Sequence, residues 1–443
     1  MGMVNARGGF AKSMLCVTIP LITFKQNGGW CWFQDERVIV CDGQLILGTV
    51  AGTNAHGADA GDLEVTGYNL RTGQLTHAEI HGRFERDDHA APAFLSLLDG
   101  RVLAAYGRHS GDRYMCWRIT ARPGDITAWE PEQKVDCGAG YTYSNLHRLS
   151  REQNRIYNFH RGVGFNPNYM ISDDDGRAWR YGGRLLQWRV RGSSSRPYVR
   201  YASNGSDEIH FITTEDHPRD YDNSIYHGII RSGNVYGSNG QLVSKLSTST
   251  DTTLSPTNLT RVFAGGPDRV AWTTDLHLDR EGRSYVAFSV QVDGAAHQTN
   301  FNAGGLDHRY YYGRWDGKAW QVHEMAHAGT RLYKPEVDYT GLVALDPHDP
   351  DIAFISTNAD PANGQPLVSA ADGKRHHEIF KGAARDGGRS WNWTAMTANS
   401  IADNLRPTIP IWPGDQRAVL WLRGSYRTYQ DYTLDVVGFV ERR

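Results

Sequence analysis

Several things are scarce in this chain of 443 residues, and each scarcity argues against a class of protein. Only five cysteines occur, at positions 16, 31, 41, 116 and 137, an odd number with no CxxC pair among them. That pattern argues against a disulfide framework and against a cysteine-based zinc site, and predicts free, buried thiols. An excess of one charge is also missing. Lys and Arg total 47 against 49 Asp and Glu, a net charge of −2, so nothing points to nucleic acid as a partner. Long hydrophobic runs are absent. The apolar stretch 14–24 follows Arg7 and Lys12, contains Pro20 and is too short to span a membrane. It resembles a weak signal segment without a clear small-residue cleavage site, and reads better as a strand. No other stretch could span, which predicts a soluble chain with no membrane partner. Linkers, low-complexity tracts and long amphipathic helices are missing too, so residues 1–443 are read as one domain, expected to be a monomer.

What the chain does have is aromatic side chains and glycine: 13 Trp, 22 Tyr and 48 Gly. This mixture suits twisted strands joined by tight turns. Seven short apolar runs recur, at 44–50, 101–109, 155–162, 208–215, 284–291, 352–359 and 417–424. Their first residues lie 57, 54, 53, 76, 68 and 65 positions apart. Each follows a turn signal, such as Asp42-Gly43, Asp99-Gly100, Glu281-Gly282 or Pro413-Gly414-Asp415. Another apolar run precedes most of those turns, at 37–41, 92–98, 198–201, 275–279, 342–345 and 408–412, making strand–turn–strand hairpins. A third strand often follows, at 114–119, 169–172, 310–315 and 377–382. Seven such units predict an all-β, seven-bladed β-propeller. The N-terminal stretch, about 14–23, is expected to complete the last blade beside 431–441 and close the ring.

Two segments carry a turn pattern seen in propellers. Ser172 to Trp179 fits S-x-D-x-G-x-x-W, and Ala384 to Trp391 departs from it only in its first residue. Asp316 to Trp320 is a shortened relative. In these Asp-boxes the Asp caps the turn, the Gly takes a positive φ and the Trp packs between sheets. The motif recurs in propellers of unrelated function and carries no chemistry.

The first strand of a propeller blade lines the channel, and the second returns antiparallel to it. The start of the one and the end of the other therefore meet at one face. Blade 2 brings His89 and His109 there, and blade 3 brings Tyr143 with His160 and Arg161. Blade 4 brings Arg196 with Glu215, His217 and Arg219. Blade 6 adds Arg331 and Tyr339, and blade 7 adds Arg406 and Arg423. One such residue alone is more simply explained as a partner for a loop carbonyl. The convergence of His, Tyr and Arg with few carboxylates points to an anionic ligand. Hydrolysis of a glycosidic bond normally uses two flanking carboxylates. Elimination from a uronate fits better. Arg or a charged His neutralises its carboxylate, and the C5 proton is then removable. Tyr can take that proton and pass it to the leaving oxygen. Nearby cations are expected to lower the Tyr pKa from about 10, and a neutral His can share the base role.

The stretches Trp30-Cys31-Trp32-Phe33, Asp87-Asp88-His89-Ala90-Ala91-Pro92, Tyr143-Ser144-Asn145, His217-Pro218-Arg219-Asp220, Asn223-Ser224-Ile225-Tyr226-His227 and Asp403-Asn404-Leu405-Arg406-Pro407 resemble those of BNR-4-type propellers. The resemblance covers nearly the whole chain. Within that group the pair His89 and His109 is similar to the paired histidines of the propeller polysaccharide lyases. These include the ulvan lyases and the rhamnosyl-α-1,4-glucuronate lyases acting on gum arabic-type side chains. The resemblance implies β-elimination at glucuronate O4 with rhamnose leaving, in an acidic glycan, with no cofactor required. It implies Tyr143 as catalytic Tyr, with Tyr141 a close competitor, Arg161 as the carboxylate-neutralising Arg, and His89 and His109 as active-site histidines. Arg219 and Arg331 match uronate-binding arginines, and Arg196, His160 and Arg406 are further substrate-binding candidates. Some ulvan lyases hold a structural zinc through His and Cys. With no Cys after 137, only a variant using His210, His217, His227 or His277 is conceivable, and a structural calcium stays open. A secreted or periplasmic location follows from the implied substrate alone. Three other readings remain: endo-cleavage of ulvan, a rhamnosidase-type or sialidase-like hydrolase on the same scaffold, and a glycan-binding propeller without turnover.

Overall fold

A computed structural model describes residues 20–53, 60–109, 112–188, 196–294, 303–334 and 336–443. Among them the regular elements are thirty strands and four three-residue 3-10 turns. The strands form seven antiparallel sheets, each holding one of the seven apolar runs. The sheets stand around a ring as the blades of a β-propeller. The runs are the second strands of their blades, and at 44–50 and 284–291 the expected bounds coincide with the observed strands Gln44–Val50 and Ser284–Gln291. The latter, SYVAFSVQ, is buried at every position. Neighbouring blades cover both faces of such a strand, so it reads as a continuous apolar run rather than an alternating one.

Blade 3 shows the pattern: Thr142–Leu149, Arg155–Arg161, Pro167–Ser172 and Arg180–Arg184 pair in order from the channel outward. Blade 4 departs from it. Leu242–Lys245 adds a fifth strand, and Thr260–Phe263 pairs with the third strand, Ile225–Arg231. These insertions account for the 76-residue step between the fourth and fifth runs. In blade 7 the first strand is Asp403–Thr408, earlier than the expected 408–412. The apolar residues after Thr408 lead into the turn instead.

The ring closes as expected. Ile22–Lys25 pairs antiparallel with Asp431–Arg442, with Ile22 opposite Gly438 and Thr23 opposite Val437. Residues 14–19 of the expected strand, and Cys16, lie outside the described residues. The other four cysteines are buried and free. Both Asp-boxes form. Asp174 Oδ1 accepts from Ala178 N, and the Trp179 indole donates to Gly176 O at 3.2 Å. Asp386 and Trp391 repeat the arrangement.

One feature of the fold was not expected from the sequence. Residues Trp30 to Asp35 run through the channel and are all buried. Trp32 packs on Trp272 and Tyr339, and its indole donates to Thr273 O at 3.2 Å. Phe33 packs on Tyr143 and Tyr198. The carbonyls of Trp30, Trp32 and Phe33 accept from Arg406, Arg200 and Asn145. This plug contacts the inner edges of blades 2 to 7. On its far side lies a cavity of about 550 Å³ whose wall includes Asp35, Glu36, Arg37, Arg200, Asp275 and His277. Arg37 and Arg200 pair with Asp35, and Arg200 also with Asp275. Glu36 is raised to about 7, by burial first and by Asp35 next.

Candidate active site

The site assembles on the near side of the plug, around a histidine pair. Asp87 begins it. Its Oδ1 accepts from His89 N at 3.0 Å and so caps the 3-10 turn Asp88–Ala90. The same carboxylate then holds two imidazoles. His89 Nδ1 lies 2.6 Å from Oδ1, and His109 Nδ1 lies 2.9 Å from Oδ2. The two rings stack with centroids 4.0 Å apart and planes 8° from parallel. Tyr429 meets both edge-on, and Gln430 Nε2 reaches Asp87 Oδ2 at 3.3 Å. Below the pair, Gln34 of the plug donates to the carbonyls of Asp88 and His89, at 3.2 and 3.1 Å.

The pair is split in charge. Burial opposes a charge on His89, but Cys31, Tyr143, Asp87 and Asp88 outweigh it and hold its pKa well above 6.5. His109 is lowered to about 4, by burial first and by the charge on His89 next. Burial alone would raise Asp87, but the His89 charge and the hydrogen bonds from both histidines keep it below the usual carboxylate range. At neutral pH the cluster is therefore imidazolium, carboxylate and neutral imidazole. Since Asp87 accepts from Nδ1 of His109, the Nε2 of that ring carries its lone pair. His109 is also the more open of the two, with 16% of its side chain exposed against 3% for His89.

Asp87, His89 and His109 offer the atom types of a metal site within 4.8 Å of one another. Their geometry does not suit a shared ion. Imidazole lone pairs lie in the ring planes, and these planes are nearly parallel and stacked. An ion about 2.0–2.1 Å from each nitrogen could not lie in both planes. The suggested His-only zinc set is likewise not assembled. His210 and His227 meet at 3.3 Å, whereas His217 packs on Trp272 and His277 pairs with Asp275.

Blade 3 supplies the second half of the site. Tyr143 has φ 68 and sits where the pairing of the first strand slips between Thr142 and Asn145. Such bulges re-aim a side chain, and here the phenol turns toward the histidines. Its ring centroid lies 5.6 Å from that of His89 and 6.1 Å from that of His109. Asn145 fixes the bulge by donating to Tyr143 O at 3.1 Å and Phe33 O at 2.9 Å. The Arg161 guanidinium lies over the Tyr143 ring at 4.8 Å and reaches the hydroxyls of Tyr143 and Tyr198 at 3.4 and 3.5 Å. Burial outweighs the pull of Arg161 and the charged His89, which lower the Tyr143 pKa as expected. It pushes that pKa well above 10, so the phenol keeps its proton. Tyr141 is separated from this group. It is 1% exposed and bonded to Ser144 and Asn158 in the core.

The remaining candidates fall at increasing distance. His160 stacks on Tyr141 and is lowered to about 4 by burial. Arg219 donates to Glu336 Oε1 at 2.7 Å, and beside it His217 meets the Tyr198 ring edge-on. Arg196 pairs with Asp220 at 3.1 Å, further out. Arg331, on the connection between blades 5 and 6, donates to Gly304 O between the second and third strands of blade 5. Arg406 is corrected from ligand contact to internal counter-charge. It is fully buried and bonded to Asp88, Tyr426 and Trp30 O, behind His89. Carboxylates are also less scarce here than they seemed. Asp87, Asp88 and Glu336 all lie in this region, each tied to a histidine or an arginine. Asp338 is buried nearby and raised to about 8, by burial first and by Glu336 next.

A seven-bladed propeller with a polar His–Tyr–Arg mouth and a plugged channel is thus the class of molecule defined by fold and site. The chain belongs to the BNR repeat-containing family, whose model matches residues 55–328. No curated protein matches it in sequence. Among solved structures, a PL25 ulvan lyase bound to -[GlcA(1-4)Rha3S]- is similar at 17% identity and TM-score 0.66, over 94% of this chain and 95% of that one. The polysaccharide lyase Uly1 is similar at 10% identity and TM-score 0.57, over 92% and 90%. At these identities the likeness is one of fold.

Proposed function

We propose that this protein is a polysaccharide lyase that cleaves the rhamnose-α-1,4-glucuronate linkage by β-elimination. The observation that carries the reading is the charge-split histidine pair on one carboxylate, with a protonated phenol and a guanidinium beside it. Arg161 and the charged His89 would neutralise the uronate carboxylate and stabilise the enolate-like transition state. The neutral Nε2 of His109 takes the C5 proton. The C5–H electrons form the C4–C5 double bond, and the C4–O4 bond breaks. Tyr143 donates its proton to O4 as it leaves. The products are a 4,5-unsaturated uronate and, where rhamnose caps the chain, free rhamnose. We favour exo-action on rhamnose-capped arabinogalactan or gum arabic-type glycans over endo-cleavage of ulvan, and a secreted or periplasmic setting where such glycans occur. The fold shared with two polysaccharide lyases supports the reading.

Incubation with gum arabic and with ulvan, following ultraviolet absorbance and free rhamnose together, tests it. Absorbance and rhamnose should rise together on gum arabic. Rhamnose without absorbance would identify a hydrolase, and absorbance from ulvan alone would identify the endo-acting enzyme.

A further inference from the structure

We propose that Phe165 is a stacking platform for a pyranose ring, forming a sugar subsite on blade 3 beside the uronate site; the nature of the ligand rests on the proposed function. Phe165 is 50% exposed, the only aromatic among the large apolar side chains that are exposed in the described residues. Its backbone has φ 59, a region that a bulky side chain rarely enters and that costs stability. The turn that imposes this is tightly clasped. Phe165 N donates to Gly162 O and Gly162 N to Asn166 O, both at 2.9 Å, and Asn166 Nδ2 donates to Gly164 O at 2.8 Å. Folding alone favours Gly or Asn at such a position. An apolar ring on left-handed backbone in water is unfavourable twice over. A ligand that covers the ring removes one of those costs.

The placement says which ligand. Arg161 lies between two rings, 4.8 Å from the Tyr143 centroid and 5.8 Å from that of Phe165. A uronate held by Arg161 therefore brings its neighbouring sugar to the edge of blade 3, where Phe165 stands. The C–H face of a pyranose stacks on such a ring, and the covered aromatic area supplies the affinity. The subsite takes the sugar next to the reacting uronate and so extends recognition beyond the scissile pair. The same ring could instead serve only to brace Arg161, and the two roles separate kinetically. A platform acts on binding of longer substrates, whereas a brace acts on the chemical step.

Phe165→Ala, Phe165→Leu and Phe165→Trp are compared on gum arabic and ulvan. Binding of oligosaccharides prepared from both is measured by calorimetry in a Tyr143→Phe background. The platform requires about a tenfold rise in KM for Phe165→Ala with kcat within about twofold. It also requires a matching loss of calorimetric affinity, recovery in Phe165→Trp but not in Phe165→Leu, and no fall in melting temperature. A loss of kcat that Phe165→Leu repairs overturns the proposal in favour of a brace. Unchanged KM and affinity in Phe165→Ala, with the wild-type protein cleaving either glycan, overturn it and leave the proposed function standing. Wild-type protein that neither cleaves nor binds either glycan overturns both.

Discussion

One buried carboxylate decides the chemistry available at this site. Asp87 is the cap of a short turn and the acceptor for two imidazoles at once. By holding both Nδ1 atoms it fixes the tautomer of the neutral His109 and balances the charge on His89. Asp87→Asn keeps the shape but removes that charge, leaving His89 with only Asp88. It should lower kcat by about a hundredfold or more while changing KM little, read from initial rates on whichever glycan the wild-type protein cleaves. Tyr143→Phe removes the proton donor and should lower kcat by about 10²–10⁴-fold with the fold intact, which circular dichroism would check. The pH profile follows from the same pair. His109 must be neutral, so kcat/KM should fall as pH drops through about 4 rather than through 6.5. His89 must be charged, so the alkaline limb should lie well above 6.5. A single acid limb at the ordinary histidine value would contradict the split.

At the scale of elements, the plug and the blade 3 bulge position these groups. Gln34, Phe33 and Trp32 hold the His89 turn, the Asn145 side chain and the aromatic floor. Trp32→Ala would leave a large void among Trp272, Phe33 and Tyr339. It should cost about 3–5 kcal/mol in a denaturant titration and reduce activity through the loosened floor. Neither the plug nor the bulge was legible in the sequence, and the reasons are physical. The plug's aromatics entered only as a motif stretch, and nothing local places them in the channel, because their partners lie hundreds of positions away, as Trp32 and Thr273 do. The left-handed φ of Tyr143 falls on a residue type that gives no turn signal. The second strands were legible because both faces are covered and a tight turn precedes each. Outer strands were not. Gln133–Asp136 is mostly exposed and has no apolar pattern to find. The placement of His89, His109, Tyr143 and Arg161 at one mouth followed from the hairpin geometry alone. Asp87, quoted only as part of a motif, gained its role from the fold of the turn.

For the whole molecule, the ring and its buried histidines set the stability. Pairing between residues far apart in the chain closes the ring, with Thr23 opposite Val437, so Ile22–Lys25 covers the outer edge of Asp431–Arg442 in blade 7. A chain begun at Gln26 would expose the edge of Asp431–Arg442 and should melt lower and self-associate, as light scattering would show. Acid should act more broadly. Burial lowers His109, His147, His160 and His308 each to about 4, and also holds His227 well below its ordinary value. In the unfolded chain these groups bind protons near 6.5. Between pH 6.5 and 4 the unfolded state therefore holds more protons than the native one, and stability falls as pH falls. His89 does not offset this, because its native pKa is raised and it is charged in both states over most of that window. Melting temperature should therefore drop from pH 6.5 to pH 4, because the proton uptake of these five imidazoles on unfolding outweighs the release from Glu36 and Asp338, which are raised to about 7 and about 8 in the native state. His147→Gln, away from the catalytic pair, should flatten the slope by about one proton. A melting temperature that stays level across that window would mean these imidazoles already carry protons in the folded ring.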